Sequence, residues 1–62
     1  MNLSKDQERV FLKCAEELTE LATVLLQEVN KDKCKYNKII EEKLDVEKQL
    51  NKLSQILNTG EV

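Results

Sequence analysis

Asn30-Lys31-Asp32-Lys33-Cys34 is the stretch that decides the fold. It is polar, rich in turn formers and of the length that joins antiparallel helices in bundles. Before it, Phe11, Cys14, Leu18, Leu21, Leu25 and Val29 recur at steps of three and four, which at about 100° per residue makes one continuous apolar stripe. After it, Tyr36, Ile39, Val46, Leu50, Leu53 and Leu57 make a second stripe, stopped by Asn58-Thr59-Gly60. Helical patterns on both sides of a short polar turn predict an antiparallel two-helix hairpin. Its parts are a helix over about residues 4–29, a turn over 30–34 and a helix over 35–57, in a single domain 1–62. Ser4 with Gln7 fits a capping box, in which hydroxyl and amide satisfy backbone N–H groups reciprocally, and it sets the start of the first helix.

Composition supports an all-α fold. The 62 residues include no Pro, no Trp and one Gly, at position 60, which leaves little punctuation for strands or tight turns. With 12 acidic and 10 basic residues there is no basic excess to neutralise a phosphate backbone, so nucleic acid is not an expected partner. The longest apolar run, Ala22 to Leu26, is interrupted by Thr23 and far too short to span a bilayer, and no charged-then-apolar leader opens the chain. No membrane association and a cytoplasmic location are therefore expected. Cys14 and Cys34 lack C-x-x-C spacing, and no His is present to complete a zinc site. Cys14 reads as a small core residue. Cys34 falls in the turn, where pairing with Cys14 is disfavoured.

At this size a folded chain buries only about 60% of its unfolded surface, so a lone hairpin has a marginal core. Ile40 and Leu44 lie off the second stripe and need other cover. A second copy supplies it, and the expected assembly is a four-helix bundle, as a homodimer or homotetramer.

Two pairs of acids lie against these stripes: Glu17 with Glu20, and Glu42 with Asp45. At i,i+3 spacing each pair projects from one helix face with Cβ atoms about 5–6 Å apart. Chance alone supplies about two such pairs in a chain this acidic, so spacing carries no weight. Register carries more. With the reversal centred near residue 32, Glu20 and Asp45 stand at one height and Glu17 and Glu42 lie within a few residues of it, at a rise of about 1.5 Å per residue. Each pair is expected to flank its core seam, half-buried, where unpaired carboxylates repel one another and lose hydration. A hard divalent cation bound by oxygen ligands relieves that cost.

The segments EELTEL and IIEEKLDV resemble the E-x-x-E … E-x-x-D signature of the MazG-like all-α nucleoside triphosphate pyrophosphohydrolases. The matching residues are Glu17-Leu-Thr-Glu20, then 21 residues, then Glu42-Lys-Leu-Asp45, within a likeness over about residues 10 to 57. The resemblance implies that Glu17, Glu20, Glu42 and Asp45 hold Mg²⁺, with Mn²⁺ as the alternative, and are the catalytic set. It further implies a nucleotide substrate cleaved between its α- and β-phosphates into a nucleoside monophosphate and pyrophosphate. By height and face, Lys13, Lys38, Lys48 and Lys52 are the candidate phosphate-binding residues. Phe11 and Tyr36 read as core or hairpin-end packing before a base platform.

Two other readings stand beside this one. The chain is a non-catalytic module that binds or sequesters a nucleotide, or it is a helical-hairpin interaction protein. In the last case its acids are solvating charges paired at helical spacing, as Glu28 with Lys31 or Asp32 with Lys35.

Overall fold

The computed structural model describes residues 2–31, 33 and 36–60. Two helices, α1 (Lys5–Val29) and α2 (Tyr36–Thr59), pack against each other as a rod of 47 × 15 × 13 Å, and no strand occurs among the described residues. The all-α hairpin is as the sequence predicts. Of the reversal, Asn30, Lys31 and Lys33 are described. Cys34, the start of the second helix at Lys35 and the Asp32–Lys35 pair lie outside the described residues. The last turn of α2 runs two residues past the expected stop, to Thr59. No helix among the described residues is long and apolar enough to cross a membrane.

The capping box closes the start of α1 as expected. Ser4 Oγ accepts from the Gln7 backbone N–H at 3.1 Å, and Gln7 Oε1 accepts from the Ser4 N–H at 2.9 Å. Gln7 does more than the motif requires. Its Nε2 donates to the Gly60 carbonyl at 2.6 Å, clasping the beginning of α1 to the end of α2. Gly60 ends α2 with φ +74°, a left-handed conformation that an L side chain adopts only under strain, and its N–H caps the Ile56 carbonyl at 2.7 Å. Gln7→Ala removes one side of the cap and the whole clasp. An exposed pair of bonds of this kind is worth about 1 kcal/mol, so a thermal melt should shift down by about 4–8 °C. At the other end Asn30 stops α1, its Nδ2 donating to the Leu26 carbonyl at 3.1 Å.

The seam between the helices is not the one that the apolar stripes predict. On α1 the inward residues are Val10, Cys14, Glu17, Leu21, Val24 and Glu28, and on α2 they are Ile39, Glu42, Val46, Gln49, Leu53 and Ile56. Both series alternate steps of four and three, the spacing of a heptad seam in which two helices keep facing each other. Cys14 and Val46 are buried as expected. Leu18, Leu25 and Val29 of the expected first stripe are exposed, as are Tyr36, Leu50 and Leu57 of the second, while Phe11 is half-buried. The physical reason is the width of the apolar arc. On α1 it spans more than one helix can cover, and α2 lies along the flank that carries Glu17, leaving the leucine-rich flank outside. Ile40 and Leu44 are also exposed, which agrees with their position off the seam.

Candidate metal centre

Three buried glutamates follow from this register, and two of them, Glu17 and Glu42, belong to the paired acids of the sequence. Glu17 and Glu42 occupy seam positions, one on each helix, and each is only 7% exposed. The sequence places them beside the seam; the structure places them in it. Each has one oxygen answered from its own helix: Lys13 Nζ reaches Glu17 Oε1 at 3.1 Å, and Lys38 Nζ reaches Glu42 Oε1 at 3.2 Å. Both lysines are about half exposed, so their stems lie along the helix while the ammonium groups stay in contact with water. The other oxygen of each glutamate, Oε2, is buried and has no hydrogen-bond partner. A buried carboxylate oxygen without a donor forfeits its hydration with nothing in return.

Glu20, one turn from Glu17 on the exposed rim, completes the cluster. Glu17, Glu20 and Glu42 each offer a carboxylate oxygen, and the three oxygens lie within 4.8 Å of one another. Three negative groups at that separation repel. The neighbouring Glu17 carboxylate, then loss of hydration, then the Glu42 carboxylate hold the Glu20 carboxyl above its ordinary value of 4.5. The lysines respond in the complementary sense. Hydrogen bonding to Glu17 raises Lys13, and hydrogen bonding to Glu42 raises Lys38, each above its ordinary 10.5.

These shifts predict a pH signature for the protein free of divalent cations. Between the ordinary and the raised Glu20 values the folded chain keeps a proton that the unfolded chain gives up. Stability therefore falls as pH rises through that window, and the contribution is complete below about 4.5. The lysine contributions have a different window: present through neutral pH, they are lost only as pH climbs from 10.5 through the raised values. Subtracting the melting curves of Glu20→Gln from those of the native chain isolates the acid-side term. The difference should decline with rising pH above 4.5; a flat difference would show that the three carboxylates do not interact.

Asp45 is exposed on α2 and is not one of the three clustered residues. Direction outweighs height here. Glu20 lies across from Glu42, which points along the seam, whereas Asp45 is three residues on and rotated about 60° toward the rim. Lys48 and Lys52 are exposed farther along α2, away from the turn. Beside the cluster an open groove of about 460 Å³ is lined by Thr19, Glu20, Thr23, Val24, Lys38 and Glu42. Thr19 and Thr23 are groove residues that the sequence reading did not single out. Their hydroxyl protons go to the Ala15 and Thr19 carbonyls at 2.8 and 2.9 Å, which leaves the oxygens able to accept from a ligand. The signal was the i,i+4 spacing of two threonines around Glu20.

An all-oxygen donor set drawn from two helices, on residues that also carry two buried carboxylate oxygens lacking donors, is what a hard divalent cation fits. The cluster can hold a metal ion. Comparison with protein-family models, with curated proteins and with solved structures finds no match to this chain.

Proposed function

We propose that the hairpin is a Mg²⁺-dependent nucleotide pyrophosphohydrolase, cleaving a nucleoside triphosphate and water to a nucleoside monophosphate and pyrophosphate, and that it works as a homo-oligomer. The observation that carries the reading is the meeting of Glu17, Glu20 and Glu42 within 4.8 Å across the two helices. These are three of the four acids in the two motifs that resemble the MazG-like enzymes, and sequence likeness alone does not require them to touch.

In this reading Glu17 and Glu42 turn their donor-free Oε2 atoms to the cation, and Glu20 binds it from the rim. Asp45, one turn beyond Glu42 and exposed, is the fourth ligand proposed. The cation, when bound, supplies charge neutralisation at the phosphate oxygens and a bound water of lowered pKa. Lys13 and Lys38 hold one oxygen each of Glu17 and Glu42 and so fix their orientation, and Lys38 borders the groove where phosphate oxygens would lie. Lys52 and Lys48 are placed to contact a ligand extending along α2. Mn²⁺ satisfies the same oxygen donors.

The test is a panel of nucleoside triphosphates with Mg²⁺, followed by pyrophosphate release and by the thermal midpoint. Turnover accompanied by Mg²⁺-dependent stabilisation is expected. Stabilisation by nucleotide with no pyrophosphate would assign the chain to binding without catalysis. Indifference of both readouts to Mg²⁺ and nucleotide would remove the site and leave the interaction-protein reading.

A further inference from the structure

The chain has two aromatic rings, Phe11 and Tyr36, and no Trp or His. Neither ring stands at the carboxylate cluster. Phe11 lies in two apolar depressions on the opposite edge of the hairpin, one shared with Cys14, Leu18 and Leu53 and one with Leu3, Ile56 and Leu57. Tyr36 opens α2 and is 70% exposed, two residues before Lys38, and residues two apart on a helix do not share a face. The groove beside the cluster is lined by two threonines, two glutamates, one lysine and Val24. It offers no ring on which a base can stack.

What this edge does offer is charge suited to a row of phosphates. Lys13 stands seven residues before Glu20, and Lys52 seven after Asp45, so each repeats the heptad position of its acid, about two helical turns nearer the clasped end. The edge is therefore acidic at the cluster and basic beyond it. Lys48 and Lys52 are i,i+4 neighbours of like charge, which repel. Both are exposed, and neither has an ion pair among the described residues. Lys13 gives one ammonium proton to Glu17 and keeps two for a further acceptor. The cluster itself goes beyond a run of acids, because the buried Oε2 atoms of Glu17 and Glu42 lack any donor. A cation held there and the lysines beyond it would meet successive phosphates of one chain.

We infer that the site recognises the phosphate chain and not the nucleoside, so that inorganic tripolyphosphate is bound and hydrolysed as a nucleoside triphosphate is. The inference rests on the hydrolase reading above and sets its substrate class as condensed phosphates, with or without a nucleoside attached. The chemistry carries over without a further reactant. Water adds to a terminal phosphorus, and the bond from that phosphorus to its bridging oxygen breaks, its electron pair leaving with pyrophosphate. The two protons of the water end one on each product, orthophosphate and pyrophosphate.

The test is calorimetric titration and thermal melting of the native chain with inorganic tripolyphosphate and with a nucleoside triphosphate of each base, Mg²⁺ being kept in excess so that chelation does not empty the site. The dissociation constants are expected to agree within about fivefold, since one stacked base contributes about 5- to 150-fold. Orthophosphate and pyrophosphate should appear from tripolyphosphate. Lys48→Gln with Lys52→Gln, both at exposed positions, should weaken tripolyphosphate and nucleotide alike by about 2- to 30-fold and leave the response to Mg²⁺ alone unchanged. Tyr36→Ala should alter neither affinity. Nucleotide bound more than about tenfold tighter than tripolyphosphate, nucleotide cleaved with tripolyphosphate left intact, a lysine variant of native affinity, or loss of nucleotide affinity alone in Tyr36→Ala would each overturn the inference while the hydrolase reading stood. Indifference to both phosphate compounds would overturn the two together.

Discussion

Glu20→Lys should raise the thermal midpoint of the protein in the absence of divalent cations, remove any response of that midpoint to Mg²⁺, and reduce hydrolysis to background. The new ammonium enters the space that Glu17 and Glu42 already leave short of positive charge, within reach of their donor-free Oε2 atoms. It replaces a repelling neighbour with an attracting one and so does electrostatically what a bound cation would do. On the function proposed above it also takes a ligand away. Loss of an outer-shell partner costs about 10–100-fold in metal affinity or activity, and loss of a direct ligand should exceed that. The two effects have opposite signs, which makes the variant informative: the protein is predicted to become more stable as it becomes inactive. Unchanged Mg²⁺ dependence would show that Glu20 is not a ligand, and a lowered midpoint would show that the cluster is already neutralised in some other way.

Val46→Asp is expected to abolish the fold. Val46 is 5% exposed at the centre of the α2 seam, and Glu42 sits one turn before it. A carboxylate there lies in the seam one turn from buried Glu42 and adds a further negative charge beside the glutamate cluster. Burying an unpaired charge costs on the order of 4 kcal/mol, while a chain of this length holds about 3–9 kcal/mol in total. Circular dichroism should show the helical signal largely lost at room temperature. Retention of native helicity would mean that the seam is open enough to hydrate a charge. The same substitution at Leu44, which is exposed, should leave helicity near the native level, and the contrast between the two positions measures the seam itself.

Much of the fold was legible in the sequence because its signals are local. The Ser4–Gln7 box, the polar run from Asn30 and the lack of proline each act within a few residues, and each specifies a helix end or permits a helix. The rotation of the helices about their own axes was not legible. Leu18 and Leu25 are more apolar than Val10 and Val24, and a search for the strongest stripe chooses them. The structure chooses the weaker seam, accepting Glu17, Glu28, Glu42 and Gln49 at inward positions. The stronger stripe is left facing outward, an outcome that the ranking of apolar faces within one chain does not reveal. The site was legible to the same extent. The motif acids Glu17, Glu20 and Glu42 do converge, because Glu17 and Glu42 take seam positions on facing helices and Glu20 lies one turn from Glu17. Asp45 has the same three-residue spacing from Glu42 yet stays outside the cluster, so spacing and height did not decide which of the outer acids joins it.

The Gln7–Gly60 clasp brings the start of one helix to within a hydrogen bond of the end of the other, 2.6 Å from side chain to main chain. A circular permutant that joins these two ends through a short flexible linker and opens the chain in the polar turn should therefore keep both helices and the seam between them.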